Sequence, residues 1–82
     1  MISSESRFKY TKEDEFPTDE QRRLKKDVVA RIKKARGNGI STARIARQLG
    51  DGIYTVYDML GAVPYPMSAW RAMDKALKEL GC

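Results

Sequence analysis

Apolar residues recur at intervals of three and four in four segments of this chain, and each segment ends at a break that contains glycine or proline. Because residues three and four apart share one face of an α-helix, the pattern predicts four amphipathic helices and an all-α fold. The first helix follows Thr18, whose spacing from Gln21 is typical of a capping box, and it ends at the Gly-Asn-Gly run of residues 37–39. Its apolar stripe consists of Leu24, Val28, Ile32 and Ala35.

Residues 40–60 contain two short helical segments separated by a glycine-bearing break. Ser41 or Thr42 can cap the first segment, because either hydroxyl can accept from a backbone N–H of the first turn. Gly50 follows its last apolar residue, where a left-handed C-terminal cap favours a residue without a Cβ atom. The inner face of this helix carries Ile45, Ala46 and Leu49.

Asp51 and Gly52 stand before the second of these helices, where either can act as the N-terminal cap. We place this helix at about residues 52–60, with Gly61 at its end. Helical spacing assigns its inner face to Val56, Met59 and Leu60. The side chains predicted to point mainly outward are Tyr54, Tyr57 and Asp58.

The last helix is predicted from Pro66 or Met67 to Leu80, with Pro66 in the first turn or Ser68 as the cap. Its apolar stripe consists of Trp70, Met73, Leu77 and Leu80. A chain of this size buries a limited apolar surface, so two roles stay open for the apolar residues around the start of this helix. These residues are Val63, Tyr65, Met67 and Trp70. They belong either to the core alone or to both the core and a dimer surface.

Residues 1–17 show no sustained period, and Pro17 disfavours helix at Phe16. We expect a flexible arm, or a short strand over residues 6–10. Such an arm could reach phosphates or a minor groove through Arg7, Lys9 and Lys12. We favour the alternative, an ordinary frayed terminus. The chain is therefore divided into a flexible or partly extended N-terminal arm, residues 1–17, and a small four-helix domain, residues 18–82.

The net charge of +5 is unevenly distributed along the chain. Residues 18–50 contain ten Lys/Arg against three Asp/Glu, an excess of +7, whereas residues 1–17 and 51–82 each balance at −1. A confined basic region is typical of a nucleic-acid surface, because the phosphate backbone is a polyanion. The alternative, a charged face that only keeps the protein soluble, is more usual where charges are scattered.

Several functional classes are disfavoured by what the sequence lacks. There is no histidine, and Cys82 is the only cysteine, so most zinc sites, an internal disulfide framework and imidazole-based catalysis lack the residues they need. We expect no enzyme activity, no cofactor, no metal and no small-molecule substrate. The chain has no apolar stretch of about 18 residues and no signal-peptide pattern at its start, so we expect a cytoplasmic protein without a membrane partner.

The two short helices resemble the helix-turn-helix of bacterial and phage repressors of the Cro type, over about 20 residues. In that family a small residue, usually alanine, is followed by a glycine four positions on and by a β-branched residue six positions later, as at Ala46, Gly50 and Val56. The chain departs from the family at Asp51, where an apolar residue is usual, and at Gly52, where serine or threonine is common. The resemblance implies a DNA-binding domain whose second motif helix enters the major groove.

From the first motif helix we expect contacts to DNA phosphates, because an arginine guanidinium donates to two oxygens at once. The residues concerned are Thr42, Arg44 and Arg47. From the second helix we expect contacts to base edges or phosphates, with Thr55 at a phosphate or a thymine methyl and Asp58 accepting from a cytosine amino group. These residues are Ile53, Tyr54, Thr55, Tyr57 and Asp58. The resemblance implies the same roles for Thr42, Arg47, Ile53, Tyr54, Tyr57 and Asp58.

Three functions stay open from the sequence. We favour a sequence-specific transcription regulator that binds double-stranded DNA as a repressor, with a homodimer on a two-fold site as one form it can take. The second is a sequence-tolerant architectural or recombination accessory protein. The third is a protein-interaction module without DNA binding, whose docking patch would consist of Tyr54, Tyr57, Tyr65 and Trp70.

Overall fold

Four α-helices form the protein, in a computed structural model that describes residues 8–61 and 63–82. They are α1 (Asp19–Gly37), α2 (Thr42–Leu49), α3 (Ile53–Leu60) and α4 (Met67–Glu79), preceded by a 3-10 helix at Lys12–Asp14. The described residues contain no strand. The predicted all-α class and the four predicted helices are confirmed.

Local signals in the sequence fix where α1 and α2 begin and end. Thr18 and Gln21 form the predicted capping box, in which the Thr18 hydroxyl accepts from the Gln21 backbone at 3.2 Å and the Gln21 side chain accepts from the Thr18 backbone at 2.9 Å. Of the two candidate caps of α2, the structure uses Ser41, which accepts from the backbone of Arg44 at 3.1 Å. Gly50 ends α2 in the left-handed region, with φ 82°.

The start of α4 is capped from outside the helix. Pro66 is the N-cap residue and Met67 is the first helical residue, so Ser68 does not serve as the cap. A carboxylate oxygen of Asp14 accepts from the backbone N–H of Met67 at 2.7 Å. An anion at this position satisfies a backbone donor that has no partner within the helix, and it faces the positive end of the helix dipole.

The hydrophobic core lies where α4 meets α1 and α2, and α3 closes it by packing on α2 and α1. Each helix contributes the face that the apolar pattern predicted. The buried residues include Val28, Ile32, Ala35, Ile45, Ala46, Leu49, Val56, Met59, Met73 and Leu77.

Tyr65, Met67 and Trp70 are also buried within this single chain, and Val63 is half-buried. The indole of Trp70 donates to the backbone carbonyl of Tyr65 at 3.2 Å, so its one polar atom is satisfied in the interior. Tyr65, Met67 and Trp70 therefore belong to the core, and the additional dimer surface stays a prediction.

Several residues between Phe8 and Asp14 contact the helical body. Phe8 packs on the core, and the Tyr10 hydroxyl donates to the carbonyl of Pro64 at 3.1 Å. Both carboxylate oxygens of Glu13 accept from the Arg71 guanidinium at 2.6 Å. Residues 1–7, which include Arg7, the first part of the predicted arm and the first two residues of the predicted strand, lie outside the described residues, and residues 8–10 are not in a strand.

An ion pair between Arg31 and Asp74 joins α1 to α4. The Arg31 guanidinium donates to a carboxylate oxygen of Asp74 at 2.5 Å, and both side chains are about four-fifths covered. The hydrogen bond from Arg31 holds the pKa of Asp74 below its ordinary value, with a further contribution from Lys78.

Within the described part of the chain, no helix combines the length and the apolar character that crossing a membrane would require.

Candidate nucleic-acid interface

The outer face of α3 carries two exposed tyrosines. Tyr54 is 76% exposed and Tyr57 is 47% exposed, although tyrosine usually buries much of its ring. Val56 and Met59 turn inward on the same helix and leave positions 54 and 57, three residues apart, on the opposite face. The predicted outward direction of both tyrosines agrees with the structure.

The remaining predicted residues of α3 are less accessible than the tyrosines. Thr55 is 5% exposed, and its hydroxyl donates to a carboxylate oxygen of Asp51 at 3.2 Å, so it closes the turn before α3. Ile53 is half-buried and packs against the core. The position of Thr55 follows from its spacing, because it lies four residues before Met59 on the inner side of the helix.

Asp58 is half-buried, and one of its carboxylate oxygens accepts from the hydroxyl of Tyr65 at 2.9 Å. Burial raises the pKa of Tyr65 above its ordinary value, and the hydrogen bond to Asp58 raises it further. The phenol therefore stays protonated at neutral pH and remains a donor to Asp58. The carboxylate is held in place by this bond and is less free to reach a ligand than the sequence suggested.

The α2 helix brings two of its three predicted residues to the surface. Arg44 and Arg47 are exposed, whereas Thr42 is 8% exposed because it precedes Ile45 and Ala46 by three and four residues on the buried face. Gln48 donates to a carboxylate oxygen of Glu79 at 2.7 Å, which marks the side of α2 that lies next to α4.

One basic residue of α1 reaches the tyrosine face. The guanidinium carbon of Arg36 lies 5.9 Å from the centre of the Tyr57 ring, within the range of a cation–π contact. In the sequence, Arg36 was one cation of a wider basic field. Its contact with Tyr57 joins helices that are separated by a turn and by all of α2, so the helical spacing within α1 gave no sign of it.

The structure thus has exposed tyrosines on α3 and exposed arginines on α1 and α2, the two helices that pack on it, and Arg36 contacts one of the tyrosines. It does not bring Thr42 or Thr55 to that surface. Guanidinium groups donate in a fork that fits phosphate oxygens, and a tyrosine offers both an aromatic ring and a hydroxyl. This combination can hold a polyanion and contact groups along it.

In comparisons with protein-family models, with curated proteins and with solved structures, no match to this chain was found. The resemblance of residues 40–60 to Cro-type repressors remains an expectation from their spacing. The function proposed below is inferred from the pattern of residues and from the arrangement of these side chains.

Proposed function

We propose that this chain is a sequence-specific, repressor-like transcription regulator that binds double-stranded DNA, with α2 and α3 as a helix-turn-helix. The observation that carries the proposal is the pair of exposed tyrosines on α3, which packs on two helices that bear exposed arginines. A solvent-facing pair of aromatic side chains on a short helix is typical of a binding surface.

The dimensions of α3 suit this function. Its eight residues span about 12 Å at a rise of about 1.5 Å per residue, and a helix fits the major groove of B-form DNA. In this arrangement Arg44 and Arg47 bind phosphates and fix the position of α3. Tyr54 and Tyr57 contact base edges, through their hydroxyls or through ring contacts with thymine methyl groups.

The other sequence-predicted residues have smaller parts in the proposed contact. Asp58 already accepts from Tyr65, and Ile53 packs against the core, so each presents only part of its side chain at the surface. Thr42 and Thr55 act as supports in the interior of the helical pair, since both are buried. The proposed contact surface therefore consists of Tyr54 and Tyr57 with the exposed arginines.

A second candidate is a sequence-tolerant architectural or recombination accessory protein. One observation favours it: α3 contains no arginine, lysine, asparagine or glutamine, the side chains that most often make paired hydrogen bonds to a base. Readout through tyrosines alone would depend more on DNA shape and less on individual bases. This candidate uses the same surface and differs only in its preference among duplexes.

Selection from a random duplex library, followed by binding measurements at two salt concentrations, tests both candidates. A regulator enriches one motif and binds it roughly a thousandfold or more tighter than random duplex. Enrichment of a palindrome with half-sites about 10 base pairs apart would support a dimer. Binding that is equal for all duplexes and falls steeply with salt would support the second candidate.

A double variant, Tyr54→Ala with Tyr57→Ala, connects the result to α3. The matched control is Phe16→Ala, because Phe16 is also 76% exposed but lies outside the helical pair. We expect the double variant to lose enrichment and the control to retain it. Absence of DNA binding by the unaltered protein at moderate salt would overturn the proposal and favour a protein-interaction module.

A further inference from the structure

Three basic residues of α1 share one face of that helix, and we name them the α1 basic stripe: Lys26, Lys33 and Arg36. Their separations of seven and three residues place them on one side of a helix of 3.6 residues per turn, with Val29 between the first two. All three are exposed. The stripe extends over about 15 Å, as expected for ten residues at a helical rise of about 1.5 Å.

One contact and one shared cleft place the ends of the stripe near α3. At one end, Arg36 lies over the ring of Tyr57. At the other end, Lys26 and Val29 line a cleft of about 370 Å³ together with Met59 and with Val63, which follows α3. Both ends of the stripe therefore lie near α3, Arg36 at its exposed tyrosine face and Lys26 near the residues at and after its C-terminal end.

Within the described part of the chain, the cations of the stripe take part in no ion pair. Among the described residues, the ion pairs engage other cations, namely Arg22, Arg31, Arg71 and Lys78. The neighbouring Lys34 points elsewhere, because it lines a different pocket with Gly81 and Cys82 at the end of α4. The basic C-terminal half of α1 thus divides into a part beside α3 and a part beside the end of the chain.

We infer that the α1 basic stripe is a second phosphate clamp, which binds the DNA backbone on the α1 side of α3 while Arg44 and Arg47 bind it on the α2 side. The inference depends on the proposed function and deepens it. A helix in the major groove lies between two sugar-phosphate backbones, and α3 has a basic helix packed on it from each of its two neighbours, α1 and α2. The occupant of the stripe is therefore a phosphate backbone, which matches its charge and its length.

Arg36 has an additional positioning role in this arrangement. The guanidinium of Arg36 lies over the Tyr57 ring, and a guanidinium in a cation–π contact can also donate to phosphate oxygens. The same contact limits where the Tyr57 ring can lie. Arg36 thereby connects the proposed contact with the DNA backbone to the face of α3 that is proposed to contact bases.

A pair of matched double variants tests the clamp. The test variant carries Lys33→Gln with Arg36→Gln, and the control carries Lys34→Gln with Lys75→Gln. Each removes two positive charges and lowers the formal net charge from +5 to +3. All four residues are exposed, so both variants should retain the helical circular dichroism of the unaltered protein.

The slope of log affinity against log salt concentration counts the phosphates that are bound. Each lost phosphate contact lowers its magnitude by about 0.9, so we expect a decrease of about 1.8 for the test variant and almost none for the control. Phosphate-ethylation interference identifies the phosphates that the protein contacts. In the test variant, and not in the control, we expect phosphates of one strand to disappear from that set. An equal decrease of the salt slope in both variants would show that only net charge matters, and it would overturn the clamp. An unchanged salt slope in the test variant would also overturn it.

The same experiment separates the two proposals. If the unaltered protein does not bind duplex DNA, the proposed function fails before the clamp is tested. If it binds and the test variant behaves like the control, only the clamp fails. Arg36→Lys supplies a further check, because it retains the charge but removes the planar group. We expect the salt slope to stay within about 0.5 of the unaltered value and the base preference opposite Tyr57 to weaken.

Discussion

The hydroxyl of Tyr65 donates to a carboxylate oxygen of Asp58 at 2.9 Å, and this bond ties the outer end of α3 to the segment that leads into α4. Tyr65 is buried and Asp58 is half-buried, so water competes weakly for the bond. The orientation of α3, and with it the direction of its tyrosines, therefore depends on a residue outside the helical pair.

We predict that Tyr65→Phe lowers the free energy of unfolding by about 1–2 kcal/mol, because a hydrogen bond to a charged group is lost while the ring still fills its site. Urea unfolding at neutral pH measures the change. Tyr10→Phe is the matched control, since it removes a bond to the Pro64 carbonyl from a mostly exposed ring, and we expect it to change stability by less than about 0.5 kcal/mol. Equal losses in the two variants would contradict this account of Tyr65.

The ion pair between Arg31 and Asp74 makes stability depend on acid pH. The pKa of Asp74 is lowered in the folded protein by the hydrogen bond from Arg31, so the folded state favours the ionised carboxylate. This contribution is complete above the unfolded value of about 3.9 and is lost as pH falls through the folded pKa. We predict that Asp74→Asn is less stable than the unaltered protein by about 1–3 kcal/mol at pH 7, and that this difference shrinks below about pH 4.

Thermal unfolding of both proteins across the acid range measures this effect. Asp19→Asn is the control, because Asp19 pairs with Arg22 on an exposed surface, where the pair adds little to stability. A difference between Asp74→Asn and the unaltered protein that stays constant down to pH 2 would show that the pair does not titrate as proposed.

Asp14 stabilises the start of α4 across a long separation in the chain. Burial raises the pKa of Asp14, but the hydrogen bonds from the backbone of Thr11 and of Met67 outweigh it, and the net direction is downward. We predict that Asp14→Ala lowers the free energy of unfolding by about 1 kcal/mol through loss of this cap. Glu15→Ala, one residue further on at an exposed position, should change it by less than about 0.5 kcal/mol in the same urea titration.

Two glycines at the ends of α1 and α2 should respond oppositely to alanine. Gly50 has φ 82°, where a Cβ atom is strained, so Gly50→Ala should destabilise the protein by about 1–2 kcal/mol. Gly37 is the last residue of α1, and an added Cβ would meet no atom within 4 Å. Gly37→Ala should therefore stabilise it by about 0.5 kcal/mol. Differential scanning calorimetry measures both changes, and destabilisation by both would contradict the assigned backbone geometry.

The features that could be predicted from the sequence are those fixed by neighbouring residues. The capping box at Thr18, the left-handed Gly50 and the inner faces of the helices each depend on residues within a few positions of one another. Contacts between distant segments have no such local signal, as with Asp14 at Met67 or Arg36 over Tyr57. The partners are far apart in the sequence, so no periodic pattern of apolar and polar residues indicates that they contact each other.

The candidate site was predicted in part for the same reason. Tyr54 and Tyr57 are exposed as their spacing required. Thr42 and Thr55 were expected to contact DNA, although their spacing from Ala46 and Met59 already put them on the buried faces. In a short helix, the position of a threonine relative to the apolar residues is a better guide to its burial than its polarity.

In the proposed contact, α2 binds phosphates and α3 contacts bases, so substitutions in the two helices should have different effects on binding. Arg47→Gln removes a phosphate contact, so it should weaken binding to every duplex by a similar factor and lower the salt slope by about 0.9. Tyr54→Ala removes a base contact, so it should leave the slope unchanged and relax preference at one position of the selected site by about 1–3 kcal/mol. Binding to the selected site and to single-base variants of it, at several salt concentrations, separates the two effects. If Tyr54→Ala lowered affinity for all duplexes equally, the tyrosine would not read sequence, and the sequence-tolerant candidate would replace the regulator.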